Sequence, residues 1–314
     1  MKKQKYGSPM RSKSKTLMLM KKNWLLYVFL LPAIVYMIAF KYVPMYGIQI
    51  AFKDYTPAKG FSDSEWVGLK WFIKFINTPR FWQILKNTLS LSLYSLVLNF
   101  PLPIALALIL NNVQNQKWKK FAQTVTYMPH FLSTVVMVGM ISVFFSPRSG
   151  FVNTLLSYFG GSGNTYFMGI PKYFPHLYVW SGVWKGMGWG SVIYMAALAG
   201  VDPSLHEAAM IDGANKFKRI IHIDLPSIMP TMITMLILKC GDVMSVGYEK
   251  VYLMQNDLNI STSEVVSTYV YKMGLMRQQY SYSSAIGLFE NVISFILLVT
   301  VNKIVKKLSG SGLW

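Results

Sequence analysis

Charge and cysteine are scarce in this sequence. Of its 314 residues only 14% are Asp, Glu, Lys or Arg, against about 25% in an average soluble domain. The single cysteine, Cys240, excludes an internal disulfide and a cysteine-based metal site. The four histidines fall in separate segments with no pair at the spacing of one helical turn, so no metal site is predicted.

Sequence signals of catalysis are missing as well. No G-x-x-x-x-G-K-[ST] motif occurs, and the glycine-rich stretch 160–165 has no lysine to reach the phosphates of a nucleotide. The order of Ser, His and Asp residues suggests no catalytic triad. The chain is therefore predicted not to be an enzyme and to hold no cofactor of its own.

Apolar residues, by contrast, are abundant, at 53% of the chain with a mean hydropathy of +0.35. A helix needs about 20 apolar residues to cross a hydrocarbon core of about 30 Å. Six stretches meet or approach this length: 24–40, 84–110, 127–145, 176–200, 227–246 and 286–302. The fourth and fifth contain Gly, Lys and Asp, which is typical of helices that face protein or water. The predicted fold class is an all-α integral membrane protein with six transmembrane helices.

Basic residues outnumber acidic ones by 31 to 12, which gives a formal net charge of +19. They flank the apolar stretches. If the N-terminus lies inside the cell, the cytoplasmic segments carry Lys and Arg at roughly twice the density of the external segments. An N-in, C-in topology is therefore predicted, and the excess charge is assigned to topology and to contact with anionic membrane lipids rather than to nucleic acid.

The predicted organisation is a single membrane domain with short ends. Residues 1–16 are polar and rich in Lys and Ser and are predicted to be disordered, residues 17–308 form the transmembrane domain, and residues 309–314 form a tail. The first apolar stretch is interpreted as an uncleaved anchor, because Lys41 follows it directly and no A-x-A cleavage site separates the two. No polar segment is long enough to bury a core of its own.

The segment 201–226, between the fourth and fifth apolar stretches, contains a spaced motif. An E-A-A triplet is followed after three residues by glycine, and after nine more by I-x-L-P: Glu207, Ala208, Ala209, Gly213, Ile223, Leu225 and Pro226. Asp202 or Ser204 can cap a short helix that the glycine ends. Two short helices are predicted at the membrane surface, with small outward-facing side chains that fit a groove on another protein.

The spacing EAA-x3-G-x9-I-x-LP resembles the EAA loop of ABC importer permeases, in which this loop is the coupling helix that docks on the ATPase subunit. His206 departs from the pattern, since many sugar permeases have Tyr there. Phe81–Ser95 is similar to the start of the second span in these permeases. Four further stretches are similar to carbohydrate-uptake permeases of the polysaccharide or lipoprotein branch: Phe144–Leu156, Val246–Asn256, Ser261–Leu275 and Ser309–Trp314. The resemblance implies the type I ABC importer permease fold and a cytoplasmic coupling loop at 201–226.

By the same resemblance, the chain is expected to be the permease subunit of an ATP-driven importer for oligosaccharides in a bacterial cell membrane. The implied partners are a second homologous permease, a cytoplasmic ABC ATPase dimer that holds ATP and Mg²⁺, and an extracellular, lipid-anchored substrate-binding protein. Three alternatives stay open: a permease for another solute such as a peptide or a lipoprotein-derived compound, a stand-alone secondary transporter, and a membrane-embedded enzyme. The last two require coupling-ion sites or internal repeats and a catalytic cluster, which the sequence does not display.

Polar and aromatic residues within the apolar stretches are candidates for the substrate path: Trp184, Trp189, Lys239, Asp242, Glu290 and Asn291. An indole stacks on a sugar ring and donates one hydrogen bond, and polar groups discriminate a hydroxyl-rich sugar better than apolar walls do. Hydrogen bonding between helices is the alternative for each polar residue. Lys239 and Asp242 lie three apart on one helical face and are predicted to pair or to face a water-filled cavity.

Other residues have two interpretations each. Glycine recurs once per turn in the fourth stretch, which suits either close packing of another helix or a path lined by backbone. These glycines are Gly182, Gly186 and Gly190. Asn87 and Lys185 are further polar residues inside apolar stretches. Glu249 and Lys250 are predicted to be a solvated pair near the external mouth. The resemblance implies that this region and loop 41–83 form the docking site of a substrate-binding protein.

Overall fold

The computed structural model describes residues 13–310, 312 and 313. These residues form helices and no strand, and one isolated antiparallel bridge joins Lys53 and Trp66. The chain divides into two compact units, Met1–Ile50 and Ala51–Trp314.

The first unit is an apolar helical run. α1 spans Lys13–Lys22 and α2 spans Trp24–Met37, followed by a π-helical turn, Ile38–Tyr42, and by a 3-10 helix, Val43–Phe52, that enters the second unit. No residue of α2 is buried, and a helix that is apolar on every side is typical of a membrane span. The predicted stretch 24–40 is helical throughout and continues beyond its predicted end.

The segment predicted to be disordered, 1–16, overlaps the described residues only at its end. Residues 13–16 form the first turn of α1, whose Lys, Leu and Met residues are good helix formers. Residues 1–12 lie outside the described part of the chain.

The second unit contains the remaining helices, joined by short loops and by 3-10 or π-helical turns. In chain order its α-helices are α3 Lys70–Ile76, α4 Phe81–Asn99, α5 Pro101–Asn111, α6 Gln116–Tyr127, α7 Thr134–Phe144, α8 Phe151–Tyr158, α9 Phe174–Leu198, α10 Pro203–Ile211, α11 Lys216–Arg219, α12 Leu225–Ser227, α13 Met229–Gly241, α14 Tyr248–Met254, α15 Ile260–Ser263, α16 Val266–Tyr271 and α17 Tyr280–Ser309. The 3-10 and π-helical turns are Met128–Phe131, Phe167–Gly169, Pro171–Tyr173, Ile220–Asp224 and Lys272–Met276.

Three helical runs among the described residues are long and apolar enough to cross a membrane: Trp24–Phe52, Phe81–Asn111 and Tyr280–Lys307. Two bent pairs, Gln116–Phe131 with Thr134–Phe144 and Lys216–Ser227 with Met229–Gly241, each form a further candidate if the two halves count as one broken span. α9 has 25 residues and coincides with the predicted fourth stretch, but its glycines and polar residues keep it below the hydropathy of the others.

The third predicted stretch, 127–145, is wrong in its boundaries. The chain bends by 100° between the two helical halves, and only α7 follows the bend. Pro129 has no amide hydrogen to continue α6, and Ser133 caps α7 by accepting a hydrogen bond from the Val136 amide at 3.2 Å. The residues before the predicted stretch are also helical, as α6.

The fifth predicted stretch, 227–246, is wrong at both ends. A 62° bend separates α12 from α13 at Ile228, since Pro230 has no amide hydrogen to donate and its ring crowds the preceding turn. Pro226, predicted to close the turn before this span, lies two residues earlier within the helical run. α13 ends at Gly241, so Asp242 follows the helix as its C-cap residue. The sixth stretch lies inside the longer α17, which Gly310 ends with a φ of 69°.

α9 is a central helix of the second unit and packs against α4, α5, α6 and α14. Val183 joins residues of α4, α7 and α14 in one apolar cluster, and Tyr194 joins residues of α5 in another. A third apolar cluster links α3, α4, α16 and α17. At Gly188 a Cβ atom would lie 1.9 Å from the carbonyl oxygen of Thr126 in α6, so only glycine fits where these two helices cross.

Candidate functional site

The first arm of segment 201–226 is α10, and local signals fix both of its ends. Of the two residues predicted as N-cap candidates, Asp202 is the one that caps α10. Its side chain accepts a hydrogen bond from the Ser204 amide at 2.9 Å. That hydrogen bond lowers the pKa of the Asp202 carboxyl. Pro203 occupies the first turn, where its missing amide costs no hydrogen bond.

Gly213 ends α10 with a φ of 74°, a conformation that strains any residue with a Cβ. The Gly213 amide donates to the carbonyl of Met210 at 3.1 Å, and the Ala214 amide donates to the carbonyl of Ala209 at 2.8 Å. These two hydrogen bonds form the Schellman arrangement, which satisfies the last carbonyl groups of a helix. Asn215 then caps α11 by accepting from the Lys218 amide at 2.9 Å.

The second arm of the segment runs from α11 through the π-helical turn to α12, and a buried carboxylate connects it to the first arm. Asp224 is 1% exposed, and its Oδ1 lies 3.3 Å from Nε2 of His206 on α10. Neither oxygen of this carboxylate meets hydrogen-bond geometry with any described residue. Asp224 was not singled out from the sequence, although an acid within the apolar run I-I-H-I-D-L-P is a visible signal.

The seven motif residues of this segment divide by exposure. Glu207, Ala208, Gly213 and Pro226 are exposed, whereas Ala209, Ile223 and Leu225 are half-buried, and Leu225 packs on an apolar cluster with α5 and α9. Large apolar side chains stand on the surface beside the exposed motif positions: Leu205, Met210, Ile211, Phe217 and Ile221. Apolar surface that is grouped in this way is typical of a protein contact site.

The second candidate region is a cavity of about 530 Å³. It is lined by α4, α5, α9, α13 and the turn after α13, through Ser92, Ser95, Leu96, Asn99, Pro103, Tyr178, Gly186, Trp189, Gly190, Ile193, Tyr194, Met235, Lys239, Asp242, Val243, Ser245, Val246 and Gly247. Three of the six predicted path residues are therefore brought together here: Trp189, Lys239 and Asp242.

The other predicted path residues lie elsewhere. Trp184 lines an apolar groove of about 520 Å³ with Trp180 and residues of α7 and α8. Glu290 lines a cavity of about 340 Å³ with Tyr248, and Asn291 is exposed on α17. The sequence places Trp184 and Trp189 on one helix, but the faces that they occupy depend on which neighbours surround α9.

Trp189 is not a free stacking platform. Its ring stacks on that of His130, with centroids 4.8 Å apart and planes inclined by 6°, and Phe131 meets it edge-on at 6.0 Å. One face of the indole is therefore already covered. The other face and the Nε1 hydrogen are what Trp189 can offer to a ligand.

Lys239 and Asp242 form no ion pair within 4.0 Å in the described part of the chain. Both line the cavity instead. Of the two predicted arrangements, the structure therefore has the one in which both charges face the cavity.

The glycine repeat of α9 lies mainly along cavities, and its member Gly190 also meets α5. Gly186 and Gly190 line the 530 Å³ cavity, and a Cβ at Gly182 would lie 3.2 Å from Nζ of Lys250. The close helix contact of α9 is made by Gly188, which the repeat does not include. Gly190 also packs against Pro103, at 3.3 Å from a Cβ atom built there.

Polar residues of α4 form a cavity wall that the sequence analysis missed. Ser92, Ser95 and Asn99 follow an i, i+3, i+7 pattern within an apolar stretch, which places them on one helical face. All three line the cavity. Tyr194 lines it as well, and its buried hydroxyl has no hydrogen-bond partner among the described residues. The spacing of the polar residues of α4 was the signal that could have found this wall.

Lys250 is not the solvated residue that the sequence predicted. Its Nζ donates to the carbonyl oxygen of Tyr178 at 2.5 Å and lies 4.3 Å from the centre of the Tyr178 ring. Burial, together with the positive charge of Lys185, lowers the pKa of Lys250 to about 7. Lys185 and Lys250 line a second cavity, of about 330 Å³. Glu249, the residue before Lys250, is exposed.

Asn87 has a packing role. It donates to the carbonyl oxygens of Ser261 and Glu264, each at 3.0 Å, so the alternative of hydrogen bonding between segments applies to it. Glu264 is 3% exposed and forms ion pairs with Arg80 at 3.3 Å and with Lys272 at 3.5 Å. Glu264 was not among the residues predicted from the sequence.

Comparison with known proteins relates this geometry to a family. Residues 99–310 match the family described as binding-protein-dependent transport system inner membrane component. The chain is 43% identical to the polygalacturonan/rhamnogalacturonan transport system permease protein YteP of Bacillus subtilis, over 92% of this chain and 90% of that protein. It is also 43% identical to Protein LplB of the same organism, over 94% and 92% of the two chains.

A solved structure is similar over nearly the whole chain. It is a chain of a bacterial alginate ABC transporter in complex with an alginate pentasaccharide-bound periplasmic protein, with a TM-score of 0.86 and 36% identity. The similarity covers 94% of this chain and 98% of that one. The chain therefore belongs to the family of binding-protein-dependent transport system inner membrane components, in agreement with the resemblance of segment 201–226 to ABC importer permeases.

Proposed function

We propose that this chain is the membrane-spanning permease subunit of an ATP-driven importer for oligosaccharides. One observation carries the proposal: segment 201–226 is a preformed pair of helices, capped at both ends of α10, that presents apolar side chains and four motif residues on its surface. Such a surface suits docking on a separate ATPase. From here on this segment is called the coupling loop.

The proposed topology has six spans with both ends in the cytoplasm. The spans are the run of α2, α4 with α5, α6 with α7, α9, the run from α11 to α13, and α17. α9 is included because a helix that lines a polar cavity does not need the hydropathy of a lipid-facing one. The density of Lys and Arg supports the orientation.

The proposed partners follow from the family. They are a second permease of the same kind, an ATPase dimer that binds the coupling loop and holds ATP and Mg²⁺, and a lipid-anchored substrate-binding protein on the outside. The solved alginate transporter contains a periplasmic protein that carries the sugar, which supports the last of these. Closure of the ATPase dimer would move the coupling loop, and the spans would then alternate between outward and inward access.

An oligosaccharide is the proposed substrate because the cavity of about 530 Å³ presents hydroxyl, amide and indole groups. Such groups replace the water lost by an enclosed sugar, and those left without a partner penalise a ligand that lacks hydroxyls. YteP is named for transport of polygalacturonan and rhamnogalacturonan and the similar solved transporter for alginate; all three are polysaccharides, which supports the same class.

Charge reversal on the coupling loop tests the proposal. We expect Glu207→Lys to abolish oligosaccharide uptake and substrate-stimulated ATP hydrolysis in the assembled transporter, while the variant still inserts in the membrane. Asp212→Lys is the matched control, because it reverses an exposed charge of the same loop outside the motif. Full uptake by Glu207→Lys, or import of peptides but of no oligosaccharide by the wild type, contradicts the proposed function.

A further inference from the structure

Two neighbouring cavities of the second unit, together called the chamber, share part of their walls. The cavities, of about 530 and 330 Å³, share four lining residues: Ser95, Asn99, Tyr178 and Gly247. Among the described residues, the charged side chains that line either cavity are Lys185, Lys239, Asp242 and Lys250. Positive charge therefore exceeds negative charge in this chamber.

Lys185 and Lys250 line the smaller cavity, whose described lining contains no carboxylate. Neither has a carboxylate within 4.0 Å in the part of the chain that the structure describes. Lys250 donates to the Tyr178 carbonyl at 2.5 Å, and Lys185 reaches Oγ1 of Thr134 only at 3.5 Å. An ammonium group has three donors, so both side chains retain donors for a ligand.

This placement is unfavourable for the empty chamber. Two like charges near each other repel, and removing them from water adds a further cost. Gly182 makes room for one of them, since a Cβ there would crowd Nζ of Lys250 at 3.2 Å. Charged side chains kept inside a membrane protein mark the path of a substrate or an ion. An anionic ligand would supply the counter-charge that the chamber lacks.

Resting on the proposed function, we propose that the transported oligosaccharide carries carboxylates, as uronate-containing sugars do, and that Lys185 and Lys250 bind those carboxylates in the chamber. Lys239 contributes less, because Asp242 lines the same cavity and offsets its charge. Hydrogen bonds from ammonium to carboxylate are about twice as strong as neutral ones. Ser92, Ser95 and Asn99 then remain for the sugar hydroxyls.

A carboxylate of the partner permease is the rival source of counter-charge. In that case the lysines hold the two subunits together, and removing them lowers the amount of assembled transporter without changing its preference among substrates. The two sources of counter-charge are separated by measuring uptake per assembled transporter for a charged sugar and for the ester of the same sugar.

The test uses the complete transporter in cells. The probes are radiolabelled trisaccharides of galacturonate, glucuronate, mannuronate and guluronate, their methyl esters, and maltotriose as a neutral reference. The variants are Lys185→Met and Lys250→Met, singly and together, and Lys250→Arg, which keeps the charge. Lys172→Met removes an exposed lysine outside the chamber and is the matched control.

We expect the wild type to import at least one of the uronate trisaccharides. The double variant should lose about tenfold or more of that uptake per assembled transporter, since a hydrogen bond to a charged group contributes at least this factor. Uptake of the methyl ester or of maltotriose should not fall. Lys250→Arg, which keeps the charge, should retain more uptake of the acid than Lys250→Met does, and Lys172→Met should resemble the wild type.

Three results overturn the inference. They are unchanged uptake of the acid by the double variant, an equal fall for acid and ester, and import of neutral trisaccharides alone by the wild type. Each of them leaves oligosaccharide import intact as the proposed function. If the wild type imports no sugar of the panel, the inference also fails, whereas the proposed function fails only if the wild type imports peptides but no oligosaccharide, or if Glu207→Lys keeps full uptake.

Discussion

At the scale of single residues, Gly213 determines the shape of the coupling loop. Its φ of 74° costs a residue with a Cβ about 1–3 kcal/mol, so Gly213→Val should displace the end of α10. No atom lies within 4 Å of a Cβ built there, which makes the expected effect conformational rather than steric. We expect a fall of about tenfold or more in uptake and in substrate-stimulated ATP hydrolysis, as 1.4 kcal/mol corresponds to tenfold.

The control for Gly213→Val is Gly68→Val. Gly68 also has a positive φ, of 58°, and open space around its Cβ position, but it precedes α3 and lies far along the chain from the coupling loop. Both variants therefore carry similar backbone strain. Equal uptake per assembled transporter in the two would show that Gly213 has no special part in coupling.

Uptake is expected to depend on pH, because the lowered pKa of Lys250, about 7, places the titration of its side chain within the physiological range. The groups that face it are Lys185 and Tyr178 on α9, with Gly182 beside its ammonium. Below pH 7 the side chain is protonated and can bind a carboxylate, and above pH 7 the empty chamber loses this charge. Uptake of the uronate trisaccharide should therefore fall as the pH rises from about 6 to about 8.

The same measurement on Lys250→Arg isolates this residue. A guanidinium stays protonated over the whole range, and the variant uses the same binding protein, so any pH dependence of that partner cancels. The Arg variant should show a flatter pH profile than the wild type. Identical profiles would assign the pH dependence to another component of the transporter.

At the scale of elements, the crossing of α6 and α9 depends on Gly188. A methyl group there would overlap the backbone of Thr126 at 1.9 Å, and backbone cannot move aside as a flexible side chain does. We expect Gly188→Ala to lower the amount of folded protein in the membrane and its thermal stability in detergent. Gly186→Ala is the comparison, because a Cβ at that position meets no atom within 4 Å; equal stability of the two variants would refute the assigned contact.

The helices could be predicted from the sequence where the signal is a continuous apolar run. α4 with α5, α9 and α17 fall on predicted stretches for this reason. The bends before α7 and α13 were missed, because proline and capping residues such as Pro129, Ser133 and Pro230 break a helix without breaking the apolar run. Hydropathy therefore records which residues avoid water but not where the helix axis turns.

The two candidate regions differ in how local their signals are. The ends of α10 were predicted from Asp202 and Gly213, because caps depend on residues within one turn. The cavity was predicted only in part. Trp189, Lys239 and Asp242 line it, whereas Trp184 does not, since a lining residue is defined by which other helices surround it. Lys250 was missed for the same reason: its contact, Tyr178, is distant in sequence.

At the scale of the whole molecule, the topology determines whether the coupling loop can reach an ATPase. The proposed orientation places Ser62 and Ser162 outside and Asn215 in the cytoplasm, and the structure shows all three exposed. Cysteines can be introduced at each position in a Cys240→Ser background, which removes the native thiol of the chain. An impermeant maleimide applied to intact cells should label the first two and spare the third.

Ser162 and Asn215 together test the least apolar of the proposed spans. Ser162 precedes α9 and Asn215 follows it, so opposite labelling requires α9 to cross the membrane. If α9 lay within the protein without crossing, the two cysteines would label alike, and the coupling loop would stand on the same side as the loop before α9. Permeabilised cells supply the control, since all three cysteines should then react. Labelling of Asn215 in intact cells would therefore contradict both the six-span arrangement and the docking of an ATPase on the coupling loop.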